Sequence, residues 1–120
     1  MTSYDDQLWV EVKLKGADRL LCGCVYRSPT KDKPKTIETT QKVCEILKEA
    51  SQRSNSHLLI CGDFNYPDIN WENEQITQTT PVISPFIEAV QSCFLHQHIF
   101  KPTRYRENQE PSLLNLVFNN

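Results

Sequence analysis

The chain has 120 residues, 38% of them hydrophobic and 23% charged, with 13 Lys+Arg against 15 Asp+Glu and a formal net charge of −2. That length allows one domain or part of one, burying about 65% of the unfolded surface. No apolar stretch reaches the ~20 residues of a membrane span. The lack of a basic surplus excludes a strong, self-sufficient electrostatic grip on nucleic acid.

The first residues, Met1 to Asp6, are polar and acidic, unlike a secretory leader, and no Asn-X-Ser/Thr acceptor follows. The five cysteines are odd in number and lack framework spacing. They read as small core residues kept reduced in an intracellular setting, nuclear or cytoplasmic. Cys22-Gly23-Cys24 has no matching second pair, which argues against zinc.

In chain order, Leu8, Val10, Val12 and Leu14 alternate with Trp9, Glu11 and Lys13. This predicts a strand with the aliphatic set on its buried face. Lys15 to Arg19 turns the chain, and Leu20 to Arg27 returns as the second arm of a hairpin, with Leu20, Cys22, Cys24 and Tyr26 on one face. Ser28-Pro29 ends it. Lys31 to Lys35 reads as a loop, and a helix is predicted over 36–53 with Ile37, Val43, Cys44, Leu47 and Ala50 inward. The apolar run from His57 to Cys61 predicts a buried strand, and strand–helix–strand order favours parallel placement with the preceding strand. Tyr66 to Thr80 reads as loop. Ser84-Pro85 looks like an N-cap with proline at the first helical position, ahead of Phe86, Ile87, Val90, Cys93 and Phe94. Leu113 to Phe118 predicts a final strand.

Gly62-Asp63-Phe64-Asn65 directly follows the buried strand, at the carboxyl end where open α/β sheets bind ligands. Asp63 can handle a proton or a metal-bound water, and Asn65 can orient a phosphoryl oxygen. A plain strand-ending turn has the same composition. Tyr26 at a strand end can donate to a phosphate, and Arg27 can pair with one; Thr103-Arg104 offers a second phosphate anchor. The series Asp63, Asn65, Asp68, Asn70 superficially fits a calcium loop, but Pro67 and Asp68 occupy its fifth and sixth positions, where the sixth needs glycine. His96 and His98 read as helix-end histidines rather than a metal pair.

Together these segments resemble the endonuclease/exonuclease/phosphatase (DNase I-like) family, and within it the apurinic-type endonuclease domain of non-LTR retrotransposons and their reverse-transcriptase polyproteins. The resemblance rests on 25–29 (Val-Tyr-Arg-Ser-Pro), 59–65 (Leu-Ile-Cys-Gly-Asp-Phe-Asn), 66–71 (Tyr-Pro-Asp-Ile-Asn-Trp), 102–104 (Pro-Thr-Arg) and 111–118 (Pro-Ser-Leu-Leu-Asn-Leu-Val-Phe), in the family's order. It implies an α/β (α+β) fold, part of a four-layer sandwich of two mixed sheets with outer helices. It also implies Mg²⁺- or Mn²⁺-dependent cleavage of a phosphodiester, with DNA as partner. Asp63 would activate or position water, Asn65 would hold Asp63 and the phosphate in register, and Tyr26 would donate to the phosphate oxygens.

The resemblance also implies segments not found in residues 1–120: early strands bearing an asparagine and a metal-binding glutamate, and a closing Ser-Asp-His block. The expectation is therefore an incomplete domain. Asn115 stands where the family carries an aspartate that pairs with the closing histidine, and an amide cannot hold an imidazole protonated. Loss of a general acid/base typically costs ~10²- to 10⁴-fold. Two further readings stay open: a non-catalytic remnant or binding module on the same fold, and a phosphatase branch acting on lipid or nucleotide phosphates. The oligomeric state is not legible.

Overall fold

A computed structural model describes residues 2–54, 56–72, 75–76 (backbone only) and 80–120. Strands β1 (Gln7–Lys13) and β2 (Arg19–Tyr26) form the expected antiparallel hairpin. Helix α1 (Lys33–Arg53) leads to β3 (His57–Asp63), which pairs parallel with β2. A two-residue ribbon, β4 (Ile69–Asn70) with β5 (Gln75–Ile76), precedes helix α2 (Ile83–Ser92). Strands β6 (His96–Gln97) and β7 (Asn115–Asn119) complete a mixed sheet of order β1-β2-β3-β7-β6.

Several boundaries differ from expectation for local reasons. Helix α1 starts inside the predicted loop: Asp32 caps it by accepting from the Lys35 N–H, and Pro34 sits in the first turn, where its missing N–H costs nothing. Ser84 does not cap α2. The N-cap is Val82, without a side-chain cap, and Thr80 Oγ1 in the preceding turn accepts from the Val82 and Ile83 N–H groups at 3.2 and 3.0 Å. That helix ends at Ser92, so Phe94 (80% exposed) lies beyond its apolar face. His96 lies on β6 rather than at a helix end, and the His98 ring hydrogen-bonds Asn119 Oδ1.

The core lies on the helical side of the sheet. Val25, Leu58, Ile60, Leu116 and Phe118 meet Val43, Ile46, Leu47 and Ala50 of α1 and Phe86, Ala89 and Val90 of α2. Phe64, Tyr66, Trp71, Phe86 and Phe118 form an aromatic cluster with ring centroids 4.2–6.2 Å apart. Each large apolar side chain so buried contributes about 1.5–3 kcal/mol. Trp9 lies across Gly23, where an added Cβ would be 2.2 Å from the indole.

The opposite face corrects the sequence reading. Leu8, Val10, Val12 and Leu14 are 40–69% exposed, not buried. Lateral register puts Leu8–Cys24–Cys61–Val117 and Val10–Cys22–Leu59–Asn119 in two rows on this face. Cys24 is exposed and Cys22 and Cys61 half-buried, so of the five cysteines, all free thiols, only Cys44 is fully a core residue. Of the four layers expected, the described residues supply a sheet and the helices covering one side of it. Among them, no helix is long and apolar enough to cross a membrane.

Candidate active site

Three predicted site residues come together through sheet register alone. Tyr26 is the lateral partner of Asp63 across β2–β3, and Asp63 is the partner of Asn115 across β3–β7. Laterally paired residues share a face at about 4.8 Å strand spacing, so a phenol, a carboxylate and an amide stand in one row. The row lies on the uncovered face, at the carboxyl ends of the parallel pair. Tyr26 is 44% exposed, Asn115 exposed and Asp63 half-buried.

Backbone contacts fix each member. The Tyr26 N–H donates to the Asp6 carbonyl at 2.9 Å, and the Tyr26 carbonyl accepts from the Tyr4 hydroxyl at 2.6 Å. Burial pushes the Tyr4 hydroxyl pKa up, aided by Asp6 and opposed by Arg27, so it remains a donor. Nothing local in the sequence marks Tyr4 for this role. Gly62, ahead of Asp63, has φ +150°, and an added Cβ there would lie 1.8 Å from the Val25 carbonyl oxygen. Only glycine allows β2 and β3 to approach this closely. The strand therefore runs through Gly62 and Asp63, and the turn begins after them.

Asn65 is placed differently from the row. It is buried, with φ +53°, a left-handed conformation that asparagine tolerates better than most residues. Its backbone N–H donates to Asp63 Oδ1 at 3.2 Å, so it orients the carboxylate. Its side-chain Nδ2 donates to the Arg27 carbonyl at 2.8 Å.

Arg27 follows Tyr26 and so points to the other side of the strand. It is 6% exposed, its Nε donates to the Phe64 carbonyl at 2.7 Å, and its Nη2 donates to the Asn65 carbonyl. Its guanidinium carbon lies 4.0 Å from the Tyr66 ring centroid. Arg27 thus shapes the Phe64–Asn65 turn and does not join the row. Burial pushes the Tyr66 hydroxyl up to about 12, against the lowering effects of Arg27 and of its 2.9 Å hydrogen bond with Thr40.

Thr103 Oγ1 accepts from the Leu114 and Asn115 N–H groups, both at 3.1 Å, and Arg104 pairs backbone-to-backbone with Ser112. These two residues tie the connection to the start of β7 and set where Asn115 sits. Asp63 is the row's carboxylate, and no group of three or more His, Cys, Asp or Glu among the described residues can hold a metal. Mg²⁺ takes one or two carboxylates with waters and substrate phosphates. The row is therefore a single-carboxylate contributor and not a complete metal centre.

A family model described as endonuclease-reverse transcriptase matches residues 20–120, and the chain belongs to that family. Its fold is DNase I-like. The endonuclease domain of TRAS1, a telomere-specific non-LTR retrotransposon, is similar at 18% identity and TM-score 0.59, over 94% of this chain and 49% of that one. The human nocturnin catalytic domain with bound sulfate is similar at 15% identity and TM-score 0.50, over 94% and 39%. The chain thus spans about half the length, or less, of these solved structures. No curated protein matches it.

Proposed function

We propose that this chain is part of a phosphodiester-cleaving, DNA-nicking endonuclease domain of retrotransposon origin, weakly active or inactive alone. The observation that carries this reading is the Tyr26–Asp63–Asn115 row on the open sheet face. Hydrolysis needs a group to orient or deprotonate water and fixed donors toward the phosphate oxygens. Asp63, held by the Asn65 N–H, takes the first role. The Tyr26 hydroxyl and the Asn115 amide flank it as donors. Asn65 and Arg27 keep the turn in shape, and Thr103 positions Asn115. A divalent cation, Mg²⁺ or Mn²⁺, would neutralise phosphate charge when bound, but the residues described do not by themselves make its site. An intracellular setting, nuclear or cytoplasmic, accompanies this reading.

A specific observation favours a second reading, a non-catalytic binding module: the row holds one carboxylate, with an amide at Asn115. Nicking of supercoiled plasmid in Mg²⁺ or Mn²⁺ by the wild type and by Asp63→Ala separates the two. Metal-dependent nicking lost in Asp63→Ala supports the endonuclease. Equal behaviour of two folded proteins supports the module.

A further inference from the structure

Behind the Tyr26–Asp63–Asn115 row, on the helix-covered side of the sheet, a cavity of about 650 Å³ opens between the start of α1 and the approach to α2. That volume falls in the ~300–1,000 Å³ range of small-molecule sites. Ile37, Val82 and Ile83 give it an apolar wall, and Arg27 and Asn65 line it from the sheet side. A second sheet packed on the open face would leave this cavity accessible, because it lies on the opposite side.

Two buried polar side chains in its lining have bonding capacity to spare. Arg27, 6% exposed, uses Nε on the Phe64 carbonyl and Nη2 on the Asn65 carbonyl, and its Nη1 has no partner among the described residues. Asn65, 8% exposed, uses Nδ2 on the Arg27 carbonyl, and its Oδ1 accepts no hydrogen bond among them. Neither atom is sealed in the core, so both can be approached. Hydrogen bonds to a charged group such as a guanidinium are the strong ones, and an open donor on one is a ready hook for an anion. Lys31 and Lys33 stand exposed at the same cavity, as does Asp68. Asp32, between the two lysines, is committed to the Lys35 N–H as the cap of α1.

We propose that this cavity binds a phosphate monoester on a compact apolar body. Three cations against one carboxylate call for more than a single negative charge. Asn65 Oδ1, an acceptor beside the Arg27 donor, calls for an O–H on the same ligand group. A phosphate monoester near its second ionisation meets both needs, carrying about −1.5 to −2 at pH 7 while part of it keeps a proton. An ionised carboxylate has one charge and no donor. The phosphate sits at Arg27, Asn65 and the lysines, and the apolar body lies against Ile37, Val82 and Ile83. The site is distinct from the row and stands whether or not the chain nicks DNA.

The test is titration of the ¹⁵N-labelled chain with phenyl phosphate, without divalent metal, followed by amide chemical shifts. Saturable shifts are expected at Ile37, Val82 and Ile83. Phenyl phosphate should bind roughly ten-fold or more tighter than phenol or inorganic phosphate, because each control lacks half of the contacts. Phenyl sulfate, with one charge and no proton to donate, should also bind more weakly. Lys31→Gln combined with Lys33→Gln should weaken phenyl phosphate about five-fold, and both positions are exposed, so the fold is kept. No saturable shift in the wild type overturns the proposal. Shifts at Tyr26, Asp63 and Asn115 in place of the cavity residues overturn it too, by putting the phosphate on the row. Equal affinity for phenyl sulfate, or an unchanged affinity in the lysine variant, overturns the assignment of a phosphate monoester.

Discussion

Arg27 and Asn65 hold each other reciprocally: the Arg27 guanidinium donates to the Asn65 carbonyl, and the Asn65 carboxamide donates to the Arg27 carbonyl. The clasp joins the end of β2 to the turn after β3, so the backbone on which Tyr26 and Asp63 stand is locked from behind. Hydrogen bonds involving a charged donor contribute about 1.5–3 kcal/mol each, and orphaned buried carbonyls add to the loss. Arg27→Leu should therefore destabilise the chain by about 3 kcal/mol or more in urea unfolding. Asn65→Gly keeps the left-handed backbone and loses only the side-chain bond, whereas Asn65→Ala adds about 1 kcal/mol of backbone cost. A double-mutant cycle between positions 27 and 65 should be non-additive.

At Gly62 the constraint is steric. A Cβ 1.8 Å from the Val25 carbonyl oxygen cannot be accommodated by a rotamer change, because the obstacle is backbone. Gly62→Ala should force β2 and β3 apart and cost at least about 3–4 kcal/mol, an effect of the size reserved for strained backbone positions. Thermal melting followed by circular dichroism is the check, and a melting temperature near wild type would refute the close approach.

Alkaline pH should unfold the chain through Tyr66. Its hydroxyl titrates near 12 in the folded state, chiefly because it is buried, against 10.0 for a free tyrosine. The unfolded state thus loses its proton first as pH rises. The stabilisation is fully present below pH 10 and is lost as pH climbs through about 12, amounting to about 2–3 kcal/mol. Burial raises the Cys44 thiol to about 11, which adds to the loss in the same direction. Urea midpoints between pH 8 and 11 should fall steeply for the wild type and less steeply for Tyr66→Phe. That variant also strips buried Thr40 of its partner and so starts less stable at neutral pH.

Asn115→Asp would place a second carboxylate beside Asp63 across β3–β7. Like charges directly opposite on neighbouring strands are destabilising by a few tenths of a kcal/mol to about 1 kcal/mol. The variant should melt lower than wild type without divalent metal and gain more stability than wild type on adding Mn²⁺. Equal Mn²⁺ responses in the two proteins would show that the row does not engage a cation.

The alternation of Leu8, Val10, Val12 and Leu14 correctly gave a strand and a shared face, but period-two patterning cannot say which face another layer covers. Here the helices cover the face bearing Trp9, Val25 and Ile60, and the aliphatic stripe stays open. Gly62–Asp63 was legible as the carboxyl end of a buried strand, but glycine serves there for the close approach of β2 and not for the turn expected, because β3 continues through Asp63. The same alternation separated Tyr26 from Arg27 onto opposite sides, but it does not say which side the helices cover, so the burial of Arg27 in place of the expected phosphate contact beside Tyr26 was not readable. The start of α1 was also present in Asp32 and Pro34, masked by the surrounding lysines. The row itself was not readable, because Asn115 reaches Asp63 only through pairing across more than fifty residues.

The order β1-β2-β3-β7-β6 makes β7 an interior strand, wedged between β3 and β6. During synthesis β3 can zip to β2 early, yet its other edge stays open until residues 115–119 have left the ribosome. Asn120 even reaches back to hold the start of β3, its Oδ1 accepting from the Leu58 N–H at 2.9 Å. Any chain in which residues 115–119 have yet to pair presents a raw β3 edge to its neighbours, the kind of edge on which strands of other molecules add.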